Sequence, residues 1–429
     1  MDAAPVGVGV RDAARSLGGS LALDLDRFWG RACEGAPLID VVDMFSGCGG
    51  MSAGFVATRS VLPSYRLVAA VDVDTVANVT YEANLGIPPS PESVAELAEH
   101  PARLKALLKE GGRREGVPLV LIGCAPCQGF SSHRNSAGQG DGRNPLFLDF
   151  ARIAARLQPD FVVVENVPEL LTSRYWPYVE AARGVLGDAG YFSHLSVHNM
   201  ADYGVPQERF RALLLASRRP FSAPTGVLRR PEYRTVRDAI GALPPVAPGE
   251  RRSDDPMHYT AGHRESTIRT IRLVPKDGGN RPPGSGPQCL RDIEIRQGKP
   301  GYEDIYGRLS WDKPSITITA YARNPASGRF VHPEQDRGLS VREAACLQGF
   351  PRSYLFGGTF DQRFQQIGNA VPPPFAAYLA MHILGELASA DAEQPLLGRG
   401  IERPLGDSFS RLIPALKAGH RHEAELIAR

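Results

Sequence analysis

The sequence predicts an α/β fold built on an open, mostly parallel β-sheet with helices on both faces. Short β-rich runs alternate with helix-like segments between residues 38 and 217. The first two runs start 28 residues apart, at Leu38 and Arg66, which is the size of a βαβ unit. Residues suited to chemistry gather where the runs end. Sheets of this kind bind ligands at the carboxyl ends of their strands.

The strand-like runs are 38–45, 66–74, 118–124, 160–167, 194–200 and 210–217. Segments such as TVANVTYEANL, LFLDFARIAARL and YVEAARGVLGDAG separate them with helical spacing. Strand–helix alternation implies parallel pairing. The last two runs are close enough in sequence to pair antiparallel. Residues 1–36 read as an extension with an amphipathic stretch near ALDLDRFWGRA, and 37–220 as a catalytic and cofactor-binding domain. Over 221–340 Pro and Gly break the rhythm, which predicts a smaller irregular domain. Residues 341–390 turn helical again and return to the first domain; 391–429 read as a tail with one amphipathic helix.

With 42% hydrophobic residues in 429, the chain can bury a large core without cross-links. Its six scattered cysteines show no disulfide framework, which favours a reducing, cytoplasmic setting. No apolar run approaches about 20 residues, so no membrane span is expected. The first residues do not read as a secretory signal. Net charge is only +2, but residues 221–340 hold 19 Lys and Arg against 14 Asp and Glu, leaving 30 against 33 elsewhere. The excess is nearly all arginine, suited to phosphate and guanine, though a solvated Arg-rich surface accounts for it equally.

The first run ends in Phe45-Ser46-Gly47-Cys48-Gly49-Gly50 and a helix follows. A glycine turn there admits NAD, FAD or adenosylmethionine, or is simply a tight turn. The second ends in Asp72-Val73-Asp74, where an acid holds a ribose diol and Val73 lies against an adenine; Asp74 also suits a helix cap. The third leads into Cys124-Ala125-Pro126-Cys127. No second Cys/His pair stands at zinc-ligand spacing, so no metal is expected, and Pro126 and Gly129 make a loop rather than a redox helix. Cys127 reads as a nucleophile and Cys124 as a small buried residue. The fourth run ends in Glu165-Asn166-Val167, whose carboxyl is a cleft-facing proton donor or a structural cap. Alternation puts Gln207, Arg209 and Arg211 on one face of an extended segment, for a phosphate or base carbonyl, or as a solvated edge.

Together these motifs resemble the C5-cytosine DNA methyltransferase family, in family order over about 40–218 and 308–380. The resemblance rests on Phe-x-Gly-x-Gly-Gly, Pro-Cys-Gln, Glu-Asn-Val, Gln-x-Arg-x-Arg, Arg342–Pro351 and Gly368-Asn369-Ala370-Val371-Pro372. It implies a Rossmann-like adenosylmethionine-dependent methyltransferase fold, with 221–340 as the target-recognition domain. Phe45, Gly47, Cys48, Gly49, Gly50, Asp72, Val73, Asn369 and Val371 would line the adenosylmethionine site. Cys127 would attack C6 of a flipped-out cytosine, Glu165 would protonate N3, and Arg211 would hold the cytosine carbonyl with Gln207 and Arg209 in support. Ser131, Arg134 and Arg143 sit on a polar glycine-rich loop suited to closing over DNA and meeting its phosphates. Two departures stand out. The family usually has Gly-Pro-Pro-Cys where this chain has Cys124-Ala125-Pro126-Cys127. Its adenine-amino contact has no clear counterpart, with Glu92 or Ser93 as stand-ins.

The expected partner is duplex DNA, acted on by a monomer, with a separate restriction or defence nuclease as a companion. A tRNA cytosine-5 methyltransferase is the nearest rival; the long arginine-rich block favours DNA. A dinucleotide oxidoreductase leaves Pro-Cys-Gln and Glu-Asn-Val unexplained. A silent DNA-binding module would have no need of Cys127 and Glu165.

Overall fold

A computed structural model of the chain describes residues 9–125, 145–298, 302, 304–389 and 400–417. Six strands form one sheet: β1 Ile39–Met44, β2 Tyr65–Val71, β3 Leu119–Gly123, β4 Phe161–Asn166, β5 Phe192–Asn199 and β6 Phe210–Ser217. Their order is β2-β1-β3-β4-β6-β5. The first four are parallel, and β6 runs antiparallel between β4 and β5. Every residue of β1, β3 and β4 is buried, as continuous β-branched runs covered on both faces require.

Alternation divides the core in two. Val41, Ile122, Val163 and Leu213 face the helices Gly50–Ala57 and Pro373–Ala388. Val42, Leu121, Val162 and Leu214 face the helices Pro145–Leu157 and Trp176–Asp188. The N-terminal extension forms a helix at Val10–Leu23 that lies on Pro373–Ala388, followed by a helical turn at Leu25–Phe28 within the expected amphipathic stretch, with Leu25 buried. Arg11 pairs there with Glu386 at 3.0 Å. Residues 400–412 also dock: Ile401 and Leu405 donate to the carbonyls of Leu195 and Leu171, and Phe409 is buried. Apolar Ile401, Leu405 and Phe409 explain why this stretch packs rather than hanging free.

Among the described residues, 221–340 carry short α-helices at Val236–Ile240, Glu265–Arg272 and Gln288–Gln297, 3₁₀ turns at Arg230–Glu232 and Pro325–Ser327, and otherwise irregular chain. Leu309, Trp311 and Ile318 share one apolar cluster with Ala344, Leu347, Phe364 and Ile367. A second cluster, of Ile271, Val274, Leu290, Tyr306 and Val331, belongs to the block alone.

The arginine excess of the block is partly an internal device. Arg281, Arg308 and Arg337 are at most 4% exposed. Arg308 donates to the carbonyls of Ile271, Val274, His332 and Gln335. Arg337 forms a bidentate pair with Glu343 at 2.7 Å and donates to Val246 and Gly338. Irregular backbone leaves carbonyl oxygens without helix or sheet partners, and a guanidinium brings five donors in one plane. These side chains do the work that regular hydrogen bonding does in the sheet, and they are not free for phosphate.

Candidate active site

A cavity of about 340 Å³ runs along the carboxyl ends of β1 to β4, within the usual range for small-molecule sites. One end is built by the turn after β1. Phe45 takes φ 61°, rare for a bulky side chain, and Gly47 takes φ 51°. The Gly47 amide donates to Asp72 Oδ2 and the Asp74 amide to Oδ1, both at 2.8 Å, so one carboxylate ties the turns after β1 and β2 together. Asp74 caps the next helix, accepting from Val76 and Ala77.

The glycines of this turn divide their work. A Cβ on Gly47 would meet nothing within 4 Å, and the residue lines the cavity. A Cβ on Gly49 would lie 2.6 Å from Leu85 and one on Gly50 2.3 Å from the Val371 oxygen. Gly49 thus serves packing behind the turn and is not among the lining residues, whereas Gly50 lines the cavity and lets Val371 close over the helix start. Cys48 is 2% exposed, its thiol pushed up to about 12 by burial, so it is a wall and not a reactive group.

Four observations fit an adenosine-bearing methyl donor here. Val73 lines the cavity yet is 65% exposed, an apolar surface awaiting a ring. Ser46 Oγ and Gln366 Oε1 are buried on lining residues without a hydrogen-bond partner among the described residues. Asn369 and Val371 close the opposite wall. Glu92 and Ser93 line the same end; Arg103 holds the Glu92 carboxyl below its ordinary range.

Asp43 lines the cavity as a fully buried carboxyl whose partner is the Ser52 hydroxyl at 2.5 Å. Burial, with the nearby charge of Asp72, pushes it up to about 7. It holds its proton more tightly folded than unfolded. Its contribution is full below the ordinary carboxylate value and is lost as pH rises to about 7. Asp43→Asn keeps an acceptor for Ser52, so the variant should melt several degrees higher than the parent at pH 8 and equal it near pH 4. A calorimetric series over pH 4–8 checks this; parallel curves would refute it.

The other end of the cavity is built on β3, β4 and β6. Glu165 is 2% exposed. It pairs in register with Leu213 of β6, so Arg211, two residues along, falls on the same face. Arg211 Nε lies 3.0 Å from Glu165 Oε1. Asn166 Nδ2 donates to the Ala125 carbonyl at 3.2 Å, fixing the chain just past β3.

Cys124 is half-buried, lines the cavity and donates its thiol to Glu165 Oε2 at 3.0 Å. This corrects the expectation of a plain buried filler. Its position directly after β3, beside a carboxyl at the end of β4, is the signal that could have found it.

The expected shared face of Gln207, Arg209 and Arg211 divides as well. Period-two alternation holds only within a strand, and β6 begins at Phe210. Arg209 and Arg211 line the cavity; Gln207 does not. Gln207 is fully buried, accepting from the Ile318 amide at 3.0 Å and donating to the Leu347 carbonyl at 2.9 Å. Arg209 donates to Ile318 at 3.0 Å and to the carbonyls of Gly368 and Ala370 at 3.0 and 3.2 Å. Cys127, Ser131, Arg134 and Arg143 lie outside the described residues.

The family model of the C-5 cytosine-specific DNA methylases matches residues 39–385. The Type II methylase M.HgiDII of Herpetosiphon aurantiacus is 33% identical over 349 residues, covering 80% of this chain and 94% of that protein. The Type II methyltransferase M1.HphI of Haemophilus parahaemolyticus is 33% identical over 348 residues, covering 80% and 86%. In fold, the chain is similar to methyltransferase EhMeth of Entamoeba histolytica, with a TM-score of 0.56 at 16% identity, covering 83% and 100% of the two chains. An α/β sheet with a glycine turn, a clamping acid and a buried strand-end glutamate defines a methyltransferase of this kind. The chain belongs to the C-5 cytosine-specific DNA methylase family. Its activity is methyl transfer to C5 of cytosine in DNA, with adenosylmethionine as the donor. No helix among the described residues is long and apolar enough to cross a membrane.

Proposed function

We propose that Cys127, Glu165 and Arg211 carry the transfer, on a cytosine swung out of duplex DNA into the cavity. The observation that supports this most is Glu165, buried at the cavity's end and held by Arg211 at 3.0 Å. C5 of cytosine is a weak nucleophile. The Cys127 thiolate adds to C6 while Glu165 delivers a proton to N3, which turns C5 into an enamine carbon. Arg211 steadies the ring carbonyl and keeps the carboxyl aimed. Adenosylmethionine, when bound, supplies an electrophilic methyl group at this carbon. N3 then returns its proton to Glu165, a base takes the C5 proton and the thiolate leaves. Extruding the base costs a few kcal/mol, offset by contacts around the pocket.

The turn of Phe45, Gly47, Cys48 and Gly50, packed from behind at Gly49, holds the donor with Asp72, Val73, Asn369 and Val371. Residues 221–340 read the target sequence, and Ser131, Arg134 and Arg143 meet phosphates. No metal takes part. The protein works as a cytoplasmic monomer on duplex DNA beside a separately acting restriction or defence nuclease, as the Type II names of its relatives suggest.

The test is transfer of labelled methyl to duplex DNA of mixed sequence, with bulk tRNA in parallel. Label on DNA as 5-methylcytosine is expected, abolished in Cys127→Ala. Label on tRNA alone would overturn the substrate, and turnover by Cys127→Ala would overturn the mechanism.

A further inference from the structure

The thiol of Cys124 is unexplained by the reaction as described. It lies one residue past β3, where Gly123 pairs with Val164 of β4. Continuing that parallel register sets Cys124 beside Glu165 with both side chains on one face. Sγ is 3.0 Å from Glu165 Oε2, while Arg211 Nε is 3.0 Å from Oε1. The carboxyl therefore accepts the thiol's hydrogen bond at Oε2 and has the Arg211 guanidinium beside Oε1 at ion-pair distance, without a hydrogen bond to that oxygen. One residue further, Asn166 repeats the cross-strand tie through the Ala125 carbonyl.

We propose that Cys124 is a positioning residue for the known reaction: its thiol fixes the Glu165 carboxyl in the rotamer that meets N3 of the incoming cytosine. With Arg211 alone, the carboxyl is held at one oxygen and turns about its last torsion, which is broad for an sp²-ended side chain. The thiol locks the second oxygen. Because it donates, it carries its proton and is no rival to Cys127 for C6. Cytosine entry then replaces a weak S–H donor with a ring nitrogen and amino group, so the hold is released cheaply when the substrate arrives. Sequence alone gives this position as a departure from Gly-Pro-Pro-Cys; the structure gives the departure a task.

The inference rests on Glu165 acting at N3, and the experiment separates the two. Steady-state methyl transfer on duplex DNA is measured for the parent, Cys124→Ala, Cys124→Ser and Glu165→Gln, with adenosylmethionine affinity by calorimetry and melting temperature alongside. Losing a hydrogen bond to a charged group should lower kcat of Cys124→Ala about tenfold, with KM for DNA within about twofold. Cys124→Ser restores a donor of similar reach and should stay within about threefold of the parent kcat. A parent-like Cys124→Ala, or a Cys124→Ser as slow as the alanine variant, would overturn the proposal. If the alanine variant does not fold, the serine variant decides by itself: near-parent kcat supports the thiol's donor role and a tenfold loss refutes it. An active parent, a dead Glu165→Gln and a parent-like Cys124→Ala sink Cys124 only, whereas a turning-over Glu165→Gln sinks the reading of Glu165 itself.

Discussion

Glu165→Gln should lower kcat by about 10²–10⁴-fold while leaving adenosylmethionine affinity and DNA binding near those of the parent. Glutamine fills the same space and still accepts from Cys124, so the pocket keeps its shape. What it lacks is an acidic proton to give to N3. N3 then stays unprotonated as the thiolate adds, and negative charge accumulates on the ring with nothing to relieve it. In the proposed arrangement the donor sits at the other end of the cavity, beside the turns that Asp72 ties at 2.8 Å, and those ties do not involve Glu165. The split is therefore diagnostic. Near-parent turnover would remove Glu165 from the chemistry; a matching loss of donor affinity would make it a structural residue. Single-turnover transfer with preformed enzyme–DNA complex measures it directly.

Arg209→Met should lower the melting temperature by about 3–5 °C and weaken donor binding at the same time. Arg209 is 1% exposed and reaches the carbonyls of Ile318, Gly368 and Ala370. Removing it leaves three buried acceptors short of a donor, a cost of about 3–5 kcal/mol. The position matters as much as the energy. Gly368 packs so tightly on the irregular block that a Cβ would lie 2.2 Å from the Ala320 nitrogen, and Asn369 and Val371 next to it wall the donor cavity. One guanidinium thus links the end of the 221–340 block to the cofactor wall. Arg209→Lys keeps the charge but not the planar fork, and should recover little of the loss. Calorimetric melting and donor titration of both variants check this. A methionine variant with parent stability would show that the three carbonyls find other partners.

How much of this was legible beforehand follows from the range of each interaction. The strands 38–45, 118–124, 160–167 and 210–217 were readable because a fully covered strand must be a run of apolar, β-branched residues, a local property. So was the placing of Phe45, Gly47, Gly50, Asp72, Val73 and Glu165 along the cavity, since each stands at a strand end, where a parallel sheet presents its ligands. Cys124 was misjudged because its partner lies 41 residues away on the neighbouring strand. Gln207 was misplaced by three residues' worth of strand, because alternation says nothing about where a strand begins. The block's arginines were counted as one basic surface, since charge is visible in a sequence but burial is not. The docking of 400–412 escaped notice for the same reason: its three apolar anchors find their pockets only in the folded sheet.

The sequence by itself determined the class of fold, the order of its elements and the family chemistry that the motifs require. These depend on short-range pattern and on residue type. The tertiary structure decided which groups meet: that a thiol and a guanidinium share the Glu165 carboxyl, that Asp72 joins two turns, and that Arg308 and Arg337 stand in for missing secondary structure. Most of these contacts join residues tens of positions apart, and they are set by strand register and packing, which no local pattern encodes.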